Sequence, residues 1–193
     1  MNTPIVILAA GASRRLGQAK QLLAFKDSNL LGHTINVCLE SGVGEVHVIL
    51  GAYYKGIYKE IEHFPVQVHE FENWSVGMGA SIAFATQLFK DTKVDGLIFC
   101  VGDQVHLEAS ILKNIQKEIK EKSALIIRSQ YQKGFGPPTY FDKRFFSELM
   151  DLNGEEGAKT LIKKHIEKVS TLDFPLGMID VDTPEDLEHL GNL

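Results

Sequence analysis

The sequence predicts an α/β fold built on a parallel, doubly wound sheet, and three observations carry that reading. Short apolar runs rich in β-branched residues alternate with longer segments of helical period. The first run, Ile5–Ala10, has no polar face, as a strand covered on both sides requires. Loops of small or charged residues follow the two strongest runs, where such sheets bind ligands beyond the strand C-termini.

In chain order, Ile5-Val6-Ile7-Leu8-Ala9-Ala10 is closed by Gly11 and reads as a buried parallel strand. Asn29–Ser41 carries Leu30, Leu31, Ile35, Val37, Cys38 and Leu39 on a helical period and stops at Gly42. Glu45–Leu50 reads as a second strand, Tyr53–His63 as a helix, and Pro65–His69 as a short third strand. Asp95–Val101 is the strongest central strand after the first. Glu108–Lys122 has a helical period through Ile111, Leu112, Ile115 and Ile119, and Ser123–Arg128 is a further strand. Pro137 and Pro138 fix a turn ahead of an edge-like strand. Alternation over Ile179–Asp182 puts Asp180 and Asp182 on one side of an extended segment, and Thr183-Pro184-Glu185 opens a helix.

A chain of 193 residues is long enough for one substantial core, and a single domain over residues 1–193 is expected. A net charge of −5 argues against broad affinity for nucleic acid or anionic membranes, so neither is expected as a partner. Cys38 and Cys100, far apart in sequence and in apolar surroundings, suit a reducing compartment and leave no cysteine zinc site. The N-terminal apolar run is too short for a signal segment, and no stretch approaches the ~20 apolar residues of a membrane span. A soluble, cytoplasmic protein is expected. The seven histidines show no pair at metal-ligand helical spacing, and no Gly-x-Ser-x-Gly elbow exists.

Chemistry concentrates in a few stretches. After the first strand, Ala9, Ala10 and Gly11 leave the backbone open to close approach. Its N–H groups can donate to phosphate oxygens, and Arg14, Arg15 and Lys20 place positive charge where a triphosphate would lie. The pattern is neither a Walker A loop nor Gly-x-Gly-x-x-Gly, and a connecting loop with solvated arginines is the plain alternative. In Asn73–Ile82, two glycines precede a helical run, and Ser81 suits either a base edge or a helix cap. Asp103, at the end of a strand, is a natural hard ligand for Mg²⁺, or the head of an Asx-turn. Asn153–Lys159 reads equally as solvated charge at a helix start.

The first stretch, Leu8-Ala9-Ala10-Gly11-Ala12-Ser13-Arg14-Arg15-Leu16-Gly17-Gln18-Ala19-Lys20-Gln21-Leu22-Leu23, resembles the signature L-A-A-G-x-S-x-R-x-G-x-x-K-x-L-L of the molybdenum cofactor cytidylyltransferase (molybdopterin nucleotidyltransferase) family. Leu16 stands where methionine is more usual. The resemblance continues through Asn73, Gly77 and Ser81, through Asp103-Gln104, and through Gly136 and Pro138 to Asp180-Val181-Asp182-Thr183-Pro184-Glu185-Asp186-Leu187. It implies a three-layer α/β/α sandwich with a mostly parallel, Rossmann-like sheet of the glycosyltransferase-A type. It implies nucleotide binding by Leu8, Ala9, Ala10, Gly11, Ser13, Arg15, Lys20, Asn73, Gly77 and Ser81, with Lys20, Arg15 and Asp103 as the catalytic groups. Asp103 and Asp180 would hold Mg²⁺, while Gly136, Pro138, Lys159 and Asp182 would face the acceptor. The chain departs from the family pattern at Val105 (proline there), Pro137 (a polar residue) and Lys159 (arginine).

What the resemblance implies is Mg²⁺-dependent transfer of a nucleotidyl group to a phosphate acceptor, with release of pyrophosphate. Ala10 and Gln104 follow the cytidylyl pattern and favour CTP over GTP, and the acceptor would be the pterin molybdopterin. Transfer to a sugar or polyol phosphate is an alternative. An alternative of another class is a non-catalytic carrier that delivers molybdenum cofactor to a molybdenum hydroxylase.

Overall fold

The computed structural model describes residues 2–179. Asp180, Asp182 and the helix expected at Thr183 lie outside the described residues. The chain runs β1 (Ile5–Ala9), a small hairpin of β2 (Ala24–Phe25) and β3 (Ser28–Asn29), α1 (Leu30–Ser41), β4 (Val46–Leu50), α2 (Tyr54–Ile61) and β5 (Gln67–Glu70). It continues through α3 (Met78–Gln87), β6 (Gly96–Val101), α4 (Ala109–Lys122), β7 (Ile126–Gln130), β8 (Phe135–Asp142), α5 (Phe146–Met150), α6 (Lys159–Lys164) and β9 (Val169–Asp173).

Seven strands form one sheet in the order β5-β4-β1-β6-β8-β7-β9. Strand β1 pairs in parallel with β4 on one side and β6 on the other, with Ile5 opposite both Val46 and Ile98. The chain first winds outward through β4 and β5, then returns to the other side of β1 as β6. That reversal opens a crevice beyond the C-termini of β1 and β6, the usual ligand position in such sheets. Among the described strands, only β8 runs antiparallel to its neighbours, so the sheet is mostly parallel.

Period-two alternation sorts the strand residues into two apolar layers. Ile5, Ile7, Val48, Leu50, Ile98 and Cys100 pack under α1, α2 and α4. Val6, Leu8, Ile49, Leu97 and Phe99 pack under α3, α5 and α6. These two layers of helices and the sheet make the α/β/α sandwich. Burying each large aliphatic side chain contributes about 1.5–3 kcal/mol, which is why β1 tolerates no polar residue on either face. Helix α1 begins where Asn29 accepts the Gly32 N–H at 2.8 Å and ends at Gly42, in the left-handed region. Cys38 and Cys100 meet inside the first layer, fully buried and unbridged; mutual contact and burial push the Cys100 thiol well up.

Two expectations are corrected. The proline segment is not an edge strand: β8 lies inside the sheet between β6 and β7. Its prolines are tolerated because β6 stops pairing at Phe99↔Thr139 and the β7 register shifts between Ile127 and Ser129, so neither proline removes a ladder donor. The strand expected at Ser123–Arg128 begins later, at Ile126, because α4 runs through Lys122 and Ser123 caps it in the left-handed region.

On the α3 face, His47 of β4 and His69 of β5 stack with Nδ1 and Nε2 3.0 Å apart, against the Phe89 ring. Sequence spacing could not reveal this cross-strand pair. Burial lowers both imidazole pKa values, and the His69 ring further opposes protonation of His47; the Glu45 carboxylate, 3.8 Å from His47, acts the other way. The unfolded chain therefore takes up protons first as pH falls below the ordinary histidine value of about 6.5. The pair's stabilising contribution is complete above that value and is lost as pH drops through the lowered native values. Urea denaturation between pH 7.5 and 5 should show a midpoint that falls with pH, and His47→Gln should flatten that dependence.

Candidate functional site

The crevice beyond β1 and β6 opens into a cavity of about 820 Å³. A smaller cleft of about 250 Å³ adjoins it, sharing Leu8, Gly11, Arg14, Met78 and Glu155 as lining. Their floor is the C-terminal half of β1, and the loop leaving it forms one wall.

That loop is held in shape by its own sequence. Leu16 and Gly17 donate backbone N–H groups to the Ser13 carbonyl at 3.0 and 3.1 Å, closing a turn in which Ser13 and Gly17 are left-handed. Lys20 N donates to Ser13 Oγ at 3.3 Å. Gln21, only 3% exposed, donates through Nε2 to the carbonyls of Ala9 and Gly11 at 2.8 and 3.0 Å. A single buried amide thus clamps both ends of the Ala9-Ala10-Gly11 segment. Sequence reading missed this role, and the only signal for it was an amide-bearing side chain between two leucines and a lysine.

From the opposite strand, Asp103 comes to the same point. Lys20 Nζ donates to Asp103 Oδ2, joining the loop after β1 to the end of β6 across the crevice. Both side chains are largely withdrawn from solvent, 20% and 11% exposed respectively. The ammonium and the carboxylate, 83 residues apart in sequence, are in direct contact. Val105, where the family pattern has proline, is buried with Phe25 and Leu30, and Leu16 packs against the same cluster. The β2–β3 hairpin and the basic loop are therefore anchored to the Asp103 turn by a small apolar plug.

The remaining expected residues divide cleanly. Leu8, Ala9, Gly11, Ser13, Arg15, Lys20 and Asp103 line the large cavity, and Leu8, Ala10, Gly11, Gly77 and Ser81 line the small cleft. Asn73 is exposed and lines neither. Ser81 is 5% exposed, and its hydroxyl donates to the Gly77 carbonyl at 3.3 Å, so it sits inside the first turn of α3, not at its cap. Gly136 and Lys159 line the large cavity; Pro138 does not, although Pro137 does. Trp74 in the small cleft and Tyr131, Phe135 and Met178 in the large one were not anticipated.

The segment from Asn153 to Ala158 closes the cavity over α3. Gly79 N–H donates to the Gly154 carbonyl at 2.8 Å, which docks this segment on the helix start. Gly77 has φ 122° and ψ −177°, a conformation reserved for glycine, and a Cβ there would lie 2.5 Å from the Gly154 carbonyl oxygen. Gly77→Ala should therefore lower unfolding free energy by roughly 2 kcal/mol or more, measured by urea denaturation, and expose residues 153–158 to protease.

Comparison with known proteins places the chain in a family. The MobA-like NTP transferase domain matches residues 5–169. The purine catabolism protein PucB of Bacillus subtilis is 28% identical over 195 residues, spanning 95% of this chain and 93% of that protein. Rv0371c of Mycobacterium tuberculosis superposes with a TM-score of 0.87 at 28% identity over 100% of both chains. A structure of Rv0371c in complex with manganese gives 0.82 at 26% identity over 98% of each chain. The chain belongs to the MobA-like NTP transferase family and is a nucleotidyltransferase.

Proposed function

We propose that this enzyme transfers a cytidylyl group from CTP to the phosphate of molybdopterin, releasing pyrophosphate, and that residues 1–193 act as one transferase domain. The observation that carries this reading is the Lys20–Asp103 contact, which joins a phosphate-binding type of loop to a carboxylate at the mouth of a cavity. In the reaction, an oxygen of the acceptor phosphate forms a bond to the α-phosphorus in line with the bond to the β-phosphate, which breaks as pyrophosphate leaves. Positioning and charge neutralisation do most of the work in such transfers, and no protein nucleophile is needed. Lys20, Arg15 and the backbone N–H groups of the Gly11–Ser13 loop stabilise the negative charge on the phosphates. The small cleft beside Ala10, Gly77 and Ser81 suits the base, with the Trp74 ring on its wall.

The donor set fits a hard divalent cation. Asp103 is a nearly buried carboxylate that already holds one positive charge, the Lys20 ammonium. A cation held by one or two carboxylates and the substrate's own phosphates needs no all-protein cage. Asp180 would be the second carboxylate, with Asp182 beside the acceptor. A bound Mg²⁺ would neutralise charge on the phosphates during transfer.

The acceptor side of the cavity is lined by Tyr131, Phe135, Pro137, Ile162 and Met178, with Lys133 and Lys159 at its rim. Apolar and aromatic walls with lysines among the exposed lining residues suit a fused heterocycle bearing a phosphate. No helix among the described residues is long and apolar enough to cross a membrane.

Calorimetric titration of CTP, GTP, ATP and UTP, with and without Mg²⁺, tests the nucleotide assignment. Metal-dependent binding that prefers CTP and disappears in Asp103→Ala is the expected result. Binding of molybdopterin with no response to any nucleotide would replace transfer by a carrier role. Lys20→Met should weaken CTP binding yet strengthen Mn²⁺ binding in the absence of nucleotide by about tenfold, because it removes the cation competing for Asp103. Equal Mn²⁺ affinity in the two proteins would show that Asp103 is not the metal ligand.

A further inference from the structure

Asp103 has a neighbour whose side chain turns the other way. Gln104 is 2% exposed, and its Nε2 lies 2.8 Å from the Gly177 carbonyl, 2.9 Å from the Pro137 carbonyl and 2.9 Å from Tyr131 Oη. Tyr131 Oη in turn donates to the Pro137 carbonyl. With two carbonyls and a committed hydroxyl as partners, this corner needs a donor, and the amide nitrogen supplies it. All three partners belong to the far side of the cavity: the β7–β8 connection, the start of β8 and the turn Pro175–Met178. The Tyr131 ring fills the space that a Cβ would occupy at Gly136 and at Gly177, so the same two segments close around it.

Strand pairing cannot do this job. The β6–β8 ladder ends at Phe99↔Thr139, and no rung ties Gly136 or Pro137 to the end of β6. Rungs Ser129↔Gly136 and Gln130↔Phe135 tie this wall to β7 instead, and the hydrogen bonds of Gln104, the residue next to Asp103, join it directly to the end of β6. A buried, multiply bonded amide is costly to disturb, since its loss strands the carbonyls it served.

We propose that Gln104 is a positioning residue that fixes the acceptor wall relative to Asp103, and so sets the in-line approach of the acceptor phosphate to the α-phosphorus. This rests on the reading of Asp103 and the loop after β1 as the transfer site. Although Gln104 belongs to the motif that follows the cytidylyl pattern, its three hydrogen bonds all go to the far wall and it does not line the small cleft assigned to the base, so CTP affinity is expected to hold without it. The test uses Gln104→Met, which keeps length and loses the donor, and the milder Tyr131→Phe, which keeps the ring and loses the hydroxyl. Rates are measured with Mg²⁺, CTP and molybdopterin, CTP affinity by calorimetry, and backbone protection by hydrogen exchange.

The expected pattern is a fall of about tenfold or more in kcat/KM for molybdopterin with CTP affinity within about twofold of the parent. Faster exchange should be confined to residues 131–137 and 174–178, with β1 unchanged. Tyr131→Phe should show the same pattern at smaller size, and decides the matter if Gln104→Met does not fold. CTP affinity falling in step with the molybdopterin parameter, or wall exchange unchanged in both variants, overturns the proposal. If the parent protein does not act on molybdopterin, the reading of the acceptor fails, and the exchange pattern still decides whether Gln104 holds the wall.

Discussion

The site depends on β1 being hydrogen-bonded along both edges. A strand held by β4 on one side and β6 on the other is fixed in register by two ladders at once. Its C-terminus is therefore a fixed point, and the reversal of winding direction leaves open space directly beyond it. The loop after β1 and the turn after β6 project from neighbouring strand ends, so Lys20 and Asp103 meet without any long-range adjustment.

That meeting is electrostatically demanding. Withdrawing an ammonium and a carboxylate from water costs several kcal/mol each before their attraction is counted, and apolar replacements of the same shape often stabilise a fold more. A fold selected for stability alone has no need of this pair. Its placement makes sense where both charges have partners to receive, phosphates for the lysine and a divalent cation for the carboxylate. On the proposed reading, the pair keeps each charge compensated until those partners bind. Gln21 and the Phe25–Leu30–Val105 cluster then hold the backbone on either side, so the charged groups are carried by rigid supports.

Two kinds of residue surround the reacting groups, and they differ in how they could be read from sequence. Lys20, Arg15 and Asp103 stand out because charge at the end of an apolar run is rare and the spacing is specific. Gln21 and Gln104 are neutral amides in ordinary surroundings, and their importance comes from carbonyls brought to them by other segments: Ala9 and Gly11 for one, Pro137 and Gly177 for the other. Gln104 was legible only as part of a motif, and its contacts give that motif position a physical role. Asn73 shows the converse, since it fits the pattern yet lines neither cavity.

By itself the sequence determined the alternation of strands and helices, the buried character of β1, the glycine stop of α1 and the basic loop placed after the first strand. Each of these is a local property, encoded in periodicity, side-chain volume or charge over a dozen residues. Only the tertiary structure decided that β8 lies inside the sheet and runs antiparallel, that His47 stacks on His69, and that Ser81 turns into its own helix. It also decided that Tyr131, Phe135 and Met178 line the same cavity as Lys159. Those outcomes depend on which strand lies beside which, and pairing partners separated by tens of residues leave no periodic trace in the chain.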